Sequence, residues 1–188
     1  MYTDCEAARA YVLSAERIFG DGDGFVDANP ACVPIFVSLL FQSLEISIKH
    51  AGIESGLFSM QEARSRQRGS GHGIKKLAAL AVKKLGGDSF DPIVTAMTFA
   101  STEPHTGEII RQMICGPKLE QTRQSYASRS LGYAQVAKGD FAVIEPVKHW
   151  ISAVKETAAN LPSTIDVLSQ WKASSSSSNH FAIWFNEK

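Results

Sequence analysis

The sequence predicts an all-α protein: an up-and-down bundle of four to five main helices, with short extra helices and a C-terminal tail. Nearly every long segment repeats its apolar residues at intervals of three and four, which is typical of helices that bury one face. Glycines and prolines fall where several of these segments begin or end. Outside the tail, no segment alternates apolar and polar residues convincingly enough to predict a strand.

Local signals place each helix in turn. The segment DCEAARAYVLSAERIF carries one apolar stripe and begins with Thr3 or Asp4 as its cap. Gly86 and Gly87 end a later helix as a C-cap does, and Pro92 stands in the first turn of the next. The predicted helices are 4–19, 33–51, 73–85, 91–101, 107–128 with a break at 116–117, 146–161 closed by a proline at 162, and 164–171.

The helix predicted over 33–51 is apolar on most sides, so we expect it in the middle of the bundle. Its polar residues form one narrow line: Ser38, Gln42, Glu45 and Lys49. Glu45 and Lys49 have the i, i+4 spacing of an ion pair that faces another helix. The alternative is that the two side chains belong to a polar groove shared with other residues.

The length of 188 residues suits one domain with a tail, and it is ample for a hydrophobic core. We expect a helical bundle domain over residues 1–172 and a serine-rich linker with an apolar tail over 173–188. The linker contains five consecutive serines at 174–178, a composition typical of flexible segments. The HFAIWF segment that follows is too apolar to remain in water, so we expect it to dock on the bundle or on a partner chain.

Composition excludes several classes of protein. Nineteen basic residues balance nineteen acidic ones, so no global field marks a nucleic-acid or membrane protein, and any anion site must be local. The most apolar run, 31–44, is too short and too polar to span a bilayer. Three scattered cysteines, Cys5, Cys32 and Cys115, indicate buried reduced thiols in a cytoplasmic protein. We expect neither a metal site nor a cofactor.

Two segments imitate known ligand-binding motifs. The loop FGDGDGFVDANP resembles a calcium loop, but aligning Gly24 with the turn glycine puts Phe19 and Pro30 where the first ligand and the bidentate glutamate belong. The segment GSGHG resembles a dinucleotide fingerprint, yet the strand that should precede it and the GK[ST] of a P-loop are both missing. We therefore expect neither calcium nor P-loop chemistry.

The segment RSRQRGSGHGIKKLAAL is the main candidate for a binding site. Lys75 and Lys76 lie in the first turn of a predicted helix, where the positive end of the helix dipole disfavours cations by roughly 0.3–1 kcal/mol each. A phosphate bound at Gly73 and the neighbouring amides would reverse that effect, with Arg66 or Arg68 as a second contact. The competing interpretation is a solvated loop, with His72 as a helix cap.

The order of four motifs, LSAERI, SLEISIKHAG, GHGIKKLAAL and YASRSLGYA, resembles the HEPN superfamily (higher eukaryotes and prokaryotes nucleotide-binding) over roughly residues 3–161. The resemblance implies a helical bundle, frequent homodimers, and a role in toxin–antitoxin, phage-defence or RNA-processing systems. Independently of the resemblance, Arg129 and Tyr133 could line the same polar groove as Glu45 and Lys49, the alternative for Tyr133 being a packing role.

Catalytic members of that superfamily are metal-independent ribonucleases with an R-x4-6-H motif on the last bundle helix. Here the late helix offers His149, but its nearest preceding arginine is Arg129, outside that spacing. Arg66 and His72 have the spacing, but they precede an earlier helix.

Three hypotheses follow. The first is a non-catalytic homodimer that binds nucleotide or RNA phosphate, or a protein partner. The second is an endoribonuclease toxin that uses Arg66 or Arg68 with His72. The third is a structural or oligomerisation module without a ligand.

Overall fold

The computed structural model describes residues 5–20, 30–64, 73–131 and 146–176, and over these residues it contains helices and no strand. The predicted all-α fold class is confirmed. The α-helices are α1 (Cys5–Phe19), α2 (Val33–Glu54), α3 (Met60–Arg64), α4 (Ile74–Leu85), α5 (Asp91–Thr98), α6 (Thr106–Cys115), α7 (Glu120–Ala127), α8 (Val147–Ala159) and α9 (Leu161–Ser176). Two 3-10 turns, Pro30–Cys32 and Pro117–Leu119, precede α2 and α7.

Helix α2 is the centre of the bundle, as its apolar sequence predicts. It packs against α1, α4, α8 and α9, and most of its side chains are buried. The contact with α1 is close because small residues meet there: the Ser43 hydroxyl donates to the Ala8 carbonyl at 2.7 Å. Since that hydroxyl is buried, the bond also avoids the free-energy cost of an unsatisfied polar group in the core.

The remaining helices cover the rest of the core. Helix α6 packs against α5 and α8, and α9 packs against α2 and α5. Trp150 of α8 is fully buried, and its ring centroid lies 6.3 Å from that of Phe41 on α2. Large aromatic side chains at this depth supply much of the apolar area that folding removes from water.

Several predicted helix boundaries are confirmed. Gly86 ends α4 with a φ of 82°, a left-handed conformation that glycine adopts without steric cost. Pro92 lies in the first turn of α5. Amides in that turn have no acceptor within the helix, so proline, which lacks the amide hydrogen, costs no helical hydrogen bond there. The break at Gly116 and Pro117 separates α6 from α7, also as predicted.

The C-terminal part of the predicted helix pattern is wrong. Pro162 does not close α8; it lies in the first turn of α9, and that helix continues into the serine run as far as Ser176. The Ser174 hydroxyl donates to the Gln170 carbonyl and the Ser175 hydroxyl to the Lys172 carbonyl, so these serines satisfy their hydroxyls on the preceding turn while the helix continues. The HFAIWF segment lies outside the described residues.

Further expectations concerned the cysteines, the acidic loop and a membrane-spanning helix. The three cysteines are free, as predicted, but each is half-buried instead of buried, because each lies at an end of a helix near the surface. The acidic loop at 21–29 lies outside the described residues. Among the helices that the structure describes, none is long and apolar enough to cross a bilayer.

Candidate functional site: a cleft between α4 and α7

A cleft of about 350 Å³ opens between the start of α4 and one face of α7. That volume is at the lower end of the range typical of small-molecule sites, roughly 300–1,000 Å³. Its wall combines three cations, one carboxylate and two aromatic rings, which belong to Lys75, Lys76, Arg123, Glu120, Phe90 and Tyr126. The remaining lining residues are mostly small or apolar, so the charged groups are concentrated at a few points.

The start of α4 contributes backbone amides to this cleft. Gly73 is extended, with φ −95° and ψ 97°, and it has no side chain to cap the helix. The first helical bond runs from the Leu77 amide to the Gly73 carbonyl, so the amides of Ile74, Lys75 and Lys76 have no acceptor within the helix. Amides without an acceptor in the helix and the positive end of the dipole together favour an anion at this position.

Arg123 forms part of the opposite wall and is held by the end of α6. Its Nη1 donates to the Gln112 carbonyl at 2.8 Å, and its Nη2 donates to the Gly116 carbonyl at 2.7 Å. Both carbonyls lie at the C-terminal end of α6, where a cation is favoured, and each also accepts a backbone amide. The side chain is 6% exposed, and its Nε is buried without a partner among the described residues. Arg123 therefore fixes a positive charge in the wall at a defined place.

Glu120 links the two sides of the cleft. Its Oε2 accepts from Arg123 Nη2 at 2.6 Å and from Lys75 Nζ at 3.2 Å. The hydrogen bond from Arg123, followed by that from Lys75, lowers the pKa of the Glu120 carboxyl to about 2. The carboxylate is consequently ionised at neutral pH and neutralises part of the positive charge around it.

Tyr126 connects the cleft to a buried ion pair in the centre of the bundle. Its hydroxyl donates to Glu45 Oε2 at 2.5 Å, and Lys49 Nζ donates to Glu45 Oε1. Glu45 and Lys49 are 1% and 2% exposed. Burial, and then the negative charge of Glu45, raise the pKa of the Tyr126 hydroxyl well above its usual value, so it remains a donor. The Phe41 ring packs beside it, with centroids 5.4 Å apart.

No family model, no curated protein and no solved structure matches the chain.

The structure brings together three of the residues predicted from sequence. Gly73, Lys75 and Lys76 all line the cleft. The predicted ion pair between Glu45 and Lys49 forms, and Tyr126 connects it to the cleft.

Arg129 is exposed in the turn after α7, with a φ of 68° that is uncommon for a residue other than glycine. Its positive charge acts to lower the pKa of Tyr126, against the larger effect of burial. The remaining candidates, Arg66, Arg68, His72 and Tyr133, lie outside the described residues.

Four residues of the cleft wall were missed from the sequence: Phe90, Glu120, Arg123 and Tyr126. Three of them lie in the segment EQTRQSYA, which has low hydrophobicity and of which only the last two residues belong to a motif, YASRSLGYA. A buried arginine cannot be distinguished from an exposed one in such a segment. The sequence offered one usable signal, the Gly-Pro break before this segment. The break indicates the end of a helix, where the last carbonyls need hydrogen-bond donors.

Two histidines that are distant in the sequence also lie side by side in the structure. His105 and His149 stack with centroids 5.1 Å apart and ring planes 18° from parallel. Stacked, nearly parallel rings direct their nitrogens within separate planes, so both cannot bind one metal ion in this arrangement. Among the described residues, no group of three or more histidine, cysteine, aspartate or glutamate side chains could hold a metal.

Proposed function

We propose that this protein binds the phosphate group of a nucleotide or of single-stranded RNA in the cleft between α4 and α7, without cleaving it. The observation that carries the proposal is the position of Lys75 and Lys76 beside the first-turn amides of α4, which have no acceptor within the helix, in a cleft that also contains aromatic side chains. Phosphate needs donors and positive charge at one point, and both are present there.

Lys76 is the cation in the cleft best placed to meet an anion. It is exposed, and among the described residues it forms no ion pair. Lys75, in contrast, pairs with Glu120. A lysine in the first turn of a helix is unfavourable until an anion binds, because the helix dipole and the ammonium group have the same sign. Phosphate binding would remove that repulsion and add a charge-assisted hydrogen bond.

The aromatic residues fit the rest of such a ligand. Phe90 is half-buried and lines the cleft, whereas Tyr126 is only 7% exposed and its hydroxyl is bound to Glu45, so Phe90 offers the larger stacking surface. A nucleobase has a flat apolar face, and stacking on an aromatic side chain stabilises it by about 1–3 kcal/mol per base. A cleft with cations at one part and aromatic rings at another therefore matches a phosphorylated ligand better than a bare anion.

The absence of catalysis is part of the proposal. The cleft wall, as far as the structure describes it, contains neither histidine nor cysteine, so no side chain there acts readily as a base near neutral pH. The HEPN resemblance, with its homodimers and its nucleotide-binding members, supports the same function without the ribonuclease motif. Cleavage by Arg66 or Arg68 with His72 is the competing outcome that the experiment must detect.

The experiment is a fluorescence-polarisation titration of labelled single-stranded RNA with the full chain, in EDTA, at low and moderate salt. We expect binding that weakens with salt, since phosphate neutralisation releases counterions. Lys76→Gln should lower the affinity about tenfold, the loss of one charge-assisted hydrogen bond. Lys83→Gln is the matched control, because Lys83 is an exposed lysine in the last turn of the same helix, away from the cleft.

Each outcome has a distinct meaning. RNA that stays intact and binds less tightly to Lys76→Gln than to Lys83→Gln supports the proposal. RNA that is shortened by the wild type and intact with His72→Ala would replace it with the ribonuclease. Equal affinities for the two lysine variants would place RNA binding elsewhere. No RNA binding at any salt concentration would exclude RNA as the ligand, and no binding of ribonucleoside monophosphates either would contradict the proposal.

A further inference from the structure

Glu120 accepts hydrogen bonds from cations that a ligand phosphate would also contact. One oxygen of its carboxylate accepts hydrogen bonds from both Arg123 and Lys75, across the cleft between α7 and α4. The carboxylate is 44% exposed, so its negative charge is open to the cleft and not enclosed by the core. The Glu120 carboxylate therefore contacts these cations as a bound anion would.

Among the residues that the structure describes, the charge available to a ligand is therefore small. The cleft wall has three cations and one carboxylate. Two of those cations contact Glu120, and Arg123 also donates to the carbonyls at the end of α6. Lys76, together with the amides of the first turn of α4, remains for the ligand. A group with one or two negative charges suits this arrangement, whereas a chain of phosphates would place like charge against Glu120.

The lining agrees with this charge pattern. Phe90 is half-buried and lines the cleft beside mostly small or apolar residues. Such a surface suits a base better than an additional phosphate. Charge and lining thus both favour one phosphate group with an attached apolar or aromatic part.

Accepting the proposed function, we infer that the cleft is selective for ligands with a single phosphate group, and that Glu120 excludes nucleoside diphosphates and triphosphates by charge. The single phosphate can belong to a nucleoside monophosphate or to a phosphodiester of RNA. Glu120 is then a specificity-determining residue, since it repels the phosphates that would extend beyond the first.

The test is calorimetric titration of the full chain with three probes: the four ribonucleoside monophosphates, the matching triphosphates, and the matching dinucleotides with one phosphodiester. We expect the wild type to bind a monophosphate or a dinucleotide at least about tenfold more tightly than the triphosphate. Glu120→Gln removes the repelling charge and should abolish this preference. Because the carboxylate is exposed, urea unfolding should show that the variant keeps its fold.

The control is Glu108→Gln, which makes the same change in net charge on α6, outside the cleft, and should leave the preference intact. A wild type that binds triphosphates as tightly as monophosphates would overturn the inference while leaving the proposed function in place, as would a preference that survives in Glu120→Gln. If no probe binds to either protein, the proposed function itself fails. Binding of the dinucleotide alone would assign the phosphate to RNA, and binding of the monophosphate alone would assign it to a free nucleotide.

Discussion

Tyr126 donates a hydrogen bond to Glu45 at 2.5 Å, although the two residues are 81 positions apart in the chain. The bond joins the surface helix α7 to the central helix α2, and one face of the tyrosine belongs to the cleft wall. Through Glu45 the contact also reaches Lys49, so the cleft and the buried ion pair share one hydrogen-bonded network.

The first prediction concerns the tyrosine hydroxyl. Tyr126→Phe keeps the ring but removes the donor to a buried carboxylate, so we expect a loss of about 1.5–3 kcal/mol in the free energy of unfolding. Urea denaturation measures it. Tyr11→Phe is the control, since Tyr11 is also a partly buried tyrosine near the network but has no hydrogen bond to Glu45. A Tyr126→Phe protein as stable as Tyr11→Phe would show that this bond contributes nothing.

The second prediction concerns the buried ion pair. Replacing Lys49 by methionine leaves the Glu45 carboxylate buried without its partner, at a cost of about 3–5 kcal/mol. Replacing both residues by methionine should cost clearly less than the sum of the two single changes, because neither charge is then left alone. Chemical denaturation of the three variants and the wild type gives the coupling energy directly. Additive effects would mean that the two charges do not stabilise each other.

The third prediction concerns Glu156, which fixes the segment before α6. Its carboxylate accepts hydrogen bonds from the side chains of Ser101, Thr102 and Thr106 and from the Thr102 amide. Burial acts to raise the pKa of Glu156, but these hydrogen bonds outweigh it and lower the pKa below the ordinary value of 4.5. Since the folded pKa lies below the unfolded one, the contribution to stability is complete above pH 4.5 and disappears as the pH falls through the folded pKa.

Glu156→Gln should therefore lower the free energy of unfolding by about 1–2 kcal/mol at neutral pH. The difference from the wild type should narrow as the pH falls below 4.5 and through the lowered pKa of Glu156. Thermal unfolding at several pH values measures both effects. Glu6→Gln, at an exposed position in the first turn of α1, provides the control. A difference that stays constant with pH would contradict the assignment.

The fourth prediction concerns Gly52, near the end of α2. Alanine normally favours a helix over glycine by about 1 kcal/mol, but a Cβ at this position would lie 2.2 Å from the Phe58 ring. Phe58 is 4% exposed and cannot move without opening the core, so we expect Gly52→Ala to destabilise the protein by about 1–3 kcal/mol. Gly107→Ala should be neutral or slightly stabilising, because the nearest atom to its Cβ is 4.0 Å away. Urea denaturation of both variants decides the sign.

The fold was largely predictable because helix periodicity and end signals are local. Gly86 and Pro92 marked true boundaries, and the apolar sequence of α2 placed it at the centre. The errors arose where a local signal has two meanings. Pro162 suits the first turn of a helix as well as the end of one, and consecutive serines satisfy their hydroxyls on the preceding turn of α9.

The site was only partly predictable for a different reason. Lys75 and Lys76 were found because a lysine pair at a helix start is unfavourable by itself and indicates an anion. Arg123 and Tyr126 depend on contacts with distant segments, the end of α6 and the centre of α2. Such long-range contacts leave no periodic or compositional trace in the sequence.

The central claim is that a phosphorylated ligand binds at the start of α4, and amide NMR spectra of the isotope-labelled chain test it most directly. Titration with the ribonucleoside monophosphates should shift the amide signals of Ile74, Lys75 and Lys76 first, because these amides lack acceptors within the helix. Lys76→Gln should reduce those shifts, and Lys83→Gln should not. Shifts that cluster away from α4 and α7, or no shifts at saturating ligand, would contradict the account.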